Sequence, residues 1–375
     1  MNVVIAIDSF KGSLSSLQAG EAVKEGILRV NNLTRVHISP LADGGEGTVS
    51  ALCEAMGGEM IELEVTGPLF ERVKAKYAII NGNLAVIEMA EASGLTLVKE
   101  NRRNPMKTTT YGVGEIIKDA LSRGVRRFIV GIGGSATNDG GVGMLSALGF
   151  SFKDKDGAEI TPTAEGLSNL RFIDTCRAIP ALSETTFRVA CDVKNPLCGE
   201  QGASRIYGPQ KGASPDDVVK MDSWLKRYSD IARTVSDKAN PDTEGAGAAG
   251  GLGFAFLTFL NSALEPGIKT VIEETMLEEH IKNADIVVTG EGRLDSQSAM
   301  GKAPIGVARL AKKHGKRTIA FSGAVSDDAG GLNSLGIDAF FPILRKIVTL
   351  DEALLIDVAY KNLADTAEQV FRLIL

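Results

Sequence analysis

The chain has 375 residues, with 47 acidic side chains against 41 basic ones and a net charge of −6. That mild acidity argues against a general nucleic-acid surface, and no apolar run approaches the roughly 20 residues a membrane helix requires. A composition of 44% hydrophobic and 23% charged residues is that of a globular protein, and the length suits two domains. Cys53, Cys176, Cys191 and Cys198 lack paired zinc-ligand spacing, and only three His are present. They read as reduced thiols of a cytoplasmic protein. No basic segment precedes the first apolar run, so no signal peptide is expected.

In chain order, Val3–Ile7 is a short β-rich run, and Ala19, Val23, Ile27 and Val30 then recur at helical spacing. Val36–Ser39 is a second strand-like run, followed by a helix over Thr48–Met56 that Gly57-Gly58 stops. The pattern then changes. Ile61, Leu63 and Val65 alternate with polar residues, as do Val73, Ala75, Tyr77 and Ile79, and Asn81-Gly82 turns the chain into Leu84–Met89. This is an antiparallel meander.

A mixed middle follows. Tyr111–Leu121 reads as helix, Arg127–Ile132 as strand, Gly140–Leu148 as helix and Phe187–Asp192 as strand. Ser214-Pro215 has the form of an N-cap with a first-turn proline, opening a helix to about Thr234. Asp285–Thr289, Thr318–Ser322 and Ile337–Pro342 are strand-like, and a helix bounded by Pro304 and Gly315 lies between the first two. Thr349 and Glu352 have capping-box spacing, and Ile356, Leu363, Ala367, Val370 and Ile374 mark one face of the last helix.

Alternating β and α at both chain ends predicts a parallel sheet. The expected fold is α/β with two domains. Residues 1–57 and 271–375 form a Rossmann-like parallel-sheet domain, and 58–270 form an inserted mixed α/β domain carrying the meander.

In such sheets ligands sit beyond the carboxyl ends of strands, and six polar or glycine-rich clusters fall there. Asp8-Ser9-Phe10-Lys11-Gly12-Ser13 follows the first strand. It offers a carboxylate, a cation and hydroxyls, although Ser13 or Ser15 as a plain helix cap is the simpler alternative. Asp43-Gly44-Gly45-Glu46 places two carboxylates around a turn that admits phosphate, a pattern suited to Mg²⁺, with a simple acidic helix N-terminus as the alternative. Gly131–Gly141 joins a strand to a helix. Its Gly133, Gly134, Ser135, Thr137, Asn138 and Asp139 are candidate phosphate ligands, without Walker A or dinucleotide spacing.

Asp192 is a candidate base that Asn195 would orient, with an Asx turn before Pro196 as the alternative. Cys191 reads as packing. Gly245–Gly253 suits either a nucleotide or close helix packing. Glu291, Arg293 and Asp295 set two carboxylates beside a cation that can grip an anion, with Lys302 downstream and a solvated salt-bridge loop as the alternative. Ser322-Gly323 completes that rim. His280 and His314 read as surface residues.

In order along the chain, Ile7–Ser13, Pro40–Thr48, Gly133–Gly141, Cys191–Leu197 and Thr289–Asp295 resemble the type 1 glycerate kinases. The resemblance implies two α/β domains with the site between them. It also implies ATP-dependent phosphorylation of (R)-glycerate, at the 2-hydroxyl rather than the 3-hydroxyl. In-line phosphoryl transfer needs positioning, charge neutralisation and a base. On that reading the 131–141 loop holds ATP phosphates, and Asp43, Asp295 and Glu46 hold Mg²⁺. Asp192 is the base, with Asp8 its rival. Ser9, Lys11, Asn195, Arg293 and Ser322 contact the substrate, Lys11 and Arg293 also neutralising charge. No nucleic-acid or membrane partner is expected, and homo-oligomerisation is allowed.

Three other readings compete. A kinase for a different small hydroxy acid differs only in pocket size. A non-catalytic metabolite sensor would dispense with the acidic clusters. A nicotinamide dehydrogenase would need a glycine-rich turn where Asp8–Ser13 stands.

Overall fold

The computed structural model describes residues 1–42, 44–296, 298 and 303–375. Asp43 and Lys302, both singled out above, lie outside the described residues. The chain forms two compact units: Met1–Asp43 with Ser50–Met56 and Ile268–Leu375, and Gly44–Val49 with Gly57–Gly267. In chain order the strands are β1 (Asn2–Ile7), β2 (Arg35–Ile38), β3 (Glu59–Thr66), β4 (Arg72–Ile80), β5 (Leu84–Glu88), β6 (Arg127–Gly131), β7 (Ser151–Lys153), β8 (Phe172–Asp174), β9 (Thr186–Ala190), β10 (Ser262–Glu265), β11 (Ile286–Leu294), β12 (Arg317–Val325) and β13 (Ala339–Pro342).

The first unit holds the sheet β13-β12-β11-β1-β2, with every neighbouring pair parallel. Period-two alternation decides its two faces. Val3, Ile5, Ile7, Ile286, Val288, Ile319 and Phe321 pack on one side with the helices Ser16–Val30 and Ile356–Ile374. Ala320 packs on the other with Ile305 and Ala308 of the helix Ala303–Lys313. Helices on both faces leave the carboxyl ends of the strands as the open edge.

The second unit holds the mixed sheet β10-β9-β6-β5-β4-β3 over a single large apolar core. Its β3-β4-β5 part is the antiparallel meander read from the alternation, while β5, β6, β9 and β10 run parallel.

Ser15 caps the helix Ser16–Val30 with Gln18 in a reciprocal box, and Ser214 does the same with Asp217 for Pro215–Ala232. At Thr349 only half of the expected box forms. Its hydroxyl accepts from Glu352 N at 3.3 Å, while the Glu352 carboxylate pairs with Lys346 at 3.0 Å. On the last helix Leu363, Ala367 and Val370 are buried as predicted, but Ile356 is exposed, because its turn leads the helix in from the loop. His280 and His314 are half-buried rather than plain surface residues. His280 stacks on His37 with ring centroids 3.6 Å apart, and His314 bonds Glu278 at 2.8 Å. Among the described residues no helix is long and apolar enough to cross a membrane.

Candidate active site

In the first unit, residues from three strand ends line a cavity of about 450 Å³. Asp8, Ser9 and Lys11 come from the loop after β1, Glu291, Arg293 and Asp295 from the end of β11, and Gly323 from β12. Asp8 is there because its amide extends the ladder, donating to Gly290 O at 2.9 Å, while its carboxylate accepts from Ser9 N at 2.7 Å. Ser16 pins the same corner. Its hydroxyl donates to Ile7 O at 2.6 Å and accepts from Leu41 N at 2.7 Å.

The sequence places Glu291 and Arg293 in a loop, but β11 continues through both because they pair with Ser322 and Ala324 of β12. Glu291 is buried and accepts from Ser298 Oγ at 2.5 Å, whereas Arg293 is largely exposed with its Nε 3.5 Å from Asp295. Ser322 departs from its expected role at the rim. It is fully buried, donating to Ala324 O at 2.7 Å and accepting from Leu294 N at 3.1 Å, so it ties strand ends together. The opposite wall of the cavity is apolar, formed by Ile343, Leu344, Leu350 and Leu354, and no sequence motif announced it.

In the second unit, three of the predicted clusters meet at the carboxyl ends of β5, β6 and β9. The approach is close enough to require glycine. A Cβ on Gly131 would stand 2.3 Å from Gly44 O, and one on Gly44, whose φ is +87°, would stand 2.5 Å from Ala190 Cβ. Gly45 in turn lies against Gly133, whose Cβ position is 3.6 Å from Gly45 Cα.

Within the 131–141 loop, Gly133 and Gly134 are exposed and Ser135 is nearly buried, while Thr137, Asn138 and Asp139 are fully buried. These last three present no side chain to a surface ligand; Asn138 and Asp139 brace the loop instead, while the buried Thr137 hydroxyl makes no hydrogen bond among the described residues. The Asp139 carboxylate accepts from Thr110 N and Oγ1, both at 2.8 Å, from Gly141 N at 3.1 Å and from Gly143 N at 3.2 Å. Burial raises its pKa above the ordinary value. Asn138 donates to Ser204 Oγ at 2.9 Å. Behind them Gly245–Gly253 is buried, so of its two readings close packing is the one seen.

Asp192 is exposed beyond β9 and accepts from Gly267 N at 3.3 Å. Asn195 does not orient it. Its amide accepts from Tyr207 OH at 2.6 Å and donates to Gln201 O at 2.8 Å, which occupies both ends. Burial pushes the Cys191 thiol up to about 11, as suits a packing residue. Glu46 is exposed. Among the described residues no group of three or more His, Cys, Asp or Glu converges to hold a metal.

Sequence reading missed Glu88 and Lys211. Glu88 ends the apolar strand β5, the same signal that marked Asp8. Its carboxylate accepts from Val49 N at 2.8 Å and from Gly47 N, holding the Gly47–Val49 segment at the end of β5. Burial pushes its pKa up to about 7. The folded form therefore binds more protons than the unfolded chain between roughly pH 4.5 and 7, and this contribution to stability is lost as pH rises through 7. Glu88→Gln is expected to remove that slope. From pH 5 to pH 8 the variant should gain on the order of 3 kcal/mol relative to wild type in urea unfolding. Parallel pH profiles of the two proteins would refute this.

A family model described as the glycerate kinase family matches residues 3–375. The chain belongs to the glycerate kinase family. Glycerate kinase of Haemophilus influenzae is 47% identical over 375 residues, covering 100% of this chain and 99% of the relative. Glycerate 2-kinase of Escherichia coli is 46% identical over 371 residues, 99% of this chain and 97% of its own length. A crystal structure from Salmonella typhimurium LT2, designated glycerate kinase 2, superposes with a TM-score of 0.92 at 43% identity, covering 100% of this chain and 98% of that one. The mixed architecture, a parallel sheet and a part-antiparallel one, is thus shared with that solved structure.

Proposed function

We propose that this member of the glycerate kinase family transfers the γ-phosphoryl group of ATP to the 2-hydroxyl of (R)-glycerate, giving 2-phosphoglycerate. The observation that carries the reading is the family match over residues 3–375. The first-unit cavity supports it: Asp8, Lys11, Glu291, Arg293 and Asp295 reach one cavity from separate strand ends. A small charged acid needs such groups for orientation, and a phosphoryl group needs cations near its equatorial oxygens. In this reading Lys11 and Arg293 neutralise the glycerate carboxylate or the moving phosphoryl group, and Ser9 donates to the acid. Gly133, Gly134 and Ser135 take ATP phosphates. Asp192 accepts the hydroxyl proton as the nucleophile attacks in line, with Asp8 as its rival.

The donor chemistry suits Mg²⁺, which takes one or two carboxylates together with waters and phosphate oxygens. Asp295 and Glu46 are carboxylates of that kind, with Asp43 as the third candidate. Bound Mg²⁺ would neutralise phosphate charge. The protein's own groups orient the acid, hold the phosphates and remove the proton. A cytoplasmic location, where thiols are kept reduced, is part of this reading.

A coupled ADP-release assay with a panel of small hydroxy acids, followed by phosphorus NMR of the product, tests this. Turnover with (R)-glycerate and a phosphate on carbon 2 are the expected results. Turnover only with another acid, or phosphate on carbon 3, would overturn it.

A further inference from the structure

Lys211 lies in the short helical turn Pro209–Lys211 of the second unit and is only 2% exposed. Its ammonium donates to Ser135 Oγ at 2.8 Å and to Thr137 O at 2.7 Å. Both acceptors are neutral. The nearby carboxylate of Asp139 acts on it through its charge, but its oxygens are taken by Thr110, Gly141 and Gly143. An ammonium has three N–H donors, and two are matched here. Desolvation without a bonded counter-charge pushes this lysine from 10.5 down to about 7.

A cation removed from water is costly unless an opposite charge offsets it. What lies above Lys211 is a ready seat for that charge. Gly133 and Gly134 are exposed, Gly134 has φ +70°, and among the described residues no main-chain acceptor takes the N–H of Gly133, Gly134 or Ser135. Successive unpaired amides around a left-handed glycine form an anion-binding concavity. Ser135 links the two layers. Its oxygen is occupied by the Lys211 ammonium, which leaves its O–H to donate to something else.

We infer that Lys211 is the buried cation of an anion-binding loop, and that its counter-charge is a phosphate group of the nucleotide, bound by the Ser135 hydroxyl and the amides of Gly133–Ser135. Lys211 does not touch the phosphate. It is a positioning residue that acts through Ser135 and through its field. The inference rests on the reading of the chain as an ATP-dependent kinase, and it says which unit's loop recognises polyphosphate and why that loop carries positive potential without an exposed lysine.

The test uses the full chain and the variants Lys211→Met and Ser135→Ala, with ATP, ADP and AMP as Mg²⁺ salts. Methionine keeps the length of the side chain and removes the charge. Lys211→Met is expected to raise the KM for ATP by roughly 10–100-fold, the size of a charge–charge attraction across one intervening hydroxyl in a partly dry site, with the KM for glycerate within about twofold. Without nucleotide its melting temperature should equal or exceed that of the wild type, because a desolvated charge has gone. At the same concentration ATP should raise the melting temperature of the wild type clearly more than that of the variant, with a smaller wild-type shift for ADP and least for AMP. Ser135→Ala, which keeps the lysine, should show the same KM split at smaller size, and it decides the matter if the methionine variant folds poorly.

An unchanged KM for ATP in both variants, or ATP and glycerate KM values rising together, would overturn the inference. If the wild type phosphorylates no hydroxy acid, the kinase reading fails while the melting shifts still decide the role of Lys211. A wild type whose melting temperature no nucleotide moves overturns both.

Discussion

With Asp192 as the base of the proposed reaction, Asp192→Asn is expected to lower kcat for glycerate by roughly 10²–10⁴, the usual worth of a general base, with little change in either KM. An amide has the shape of the carboxylate and cannot take the proton. Asp192 is exposed at the end of β9 and is held by Gly267 N, so the substitution should leave the fold intact. Asp8→Asn is the matched comparison. Its carboxylate is buried at the end of β1 with Ser9 N bonded to it, and it lines the cavity with Lys11. If Asp8 only orients substrate, its amide variant should change mainly the KM for glycerate. Should Asp8→Asn abolish turnover while Asp192→Asn keeps it, the two roles are exchanged. Steady-state kinetics of both variants with saturating ATP separates the cases.

Gly250→Ala is expected to destabilise the protein by more than about 3 kcal/mol, one of the large effects a point substitution can have. Two causes add. Gly250 has φ +68°, and a Cβ there would stand 2.1 Å from Thr137 O and 2.5 Å from Asn138 Cα. Both contacts are with backbone, which cannot swing aside as a flexible side chain can, and the backbone concerned is that of the 131–141 loop, where Gly140 N donates to Gly250 O at 2.9 Å. Gly157→Ala isolates the first cause. Gly157 has φ +81° but nothing within 4 Å of its Cβ position, so only the left-handed penalty of about 1–2 kcal/mol applies. Urea unfolding of the two variants should differ by the cost of the clash. Equal midpoints would mean that the loop has room to move.

Much of the fold was legible because its signals are local. Alternation over Ile61–Ile79 with Asn81-Gly82 marked the meander, and Thr48–Met56 is a helix with the bounds read from the sequence. The strand ends were legible for a related reason. A charge at the end of an apolar run has no packing purpose, and a glycine cluster there marks a sharp turn or a close approach, so Asp8, Gly131–Ser135 and Asp192 stood out before any contact was known. Strand lengths were less legible. β11 and β12 run on to Leu294 and Val325, because pairing with each other, rather than apolar composition, keeps them extended through Glu291 and Arg293.

Side-chain orientation at the site was beyond local reading. Thr137, Asn138 and Asp139 have the composition of ligand groups and turn inward, and Asn195 and Ser322 spend their hydrogen bonds inside the protein. Lys211, in an unremarkable Pro-Gln-Lys-Gly stretch, is the reverse case of a common surface residue that is buried.

By itself, the order of residues determined an α/β chain in two parts, the strand ends at which polar groups collect, and the resemblance that the family match upholds. Those properties follow from periodicity and from short-range turn chemistry, which act within a few residues. Only the tertiary structure decided which of the polar groups face a cavity and which brace the loops. Burial and counter-charge are set by segments 29 to 282 positions apart in the chain, such as Thr110 on Asp139, Ser135 on Lys211 and Gly290 on Asp8.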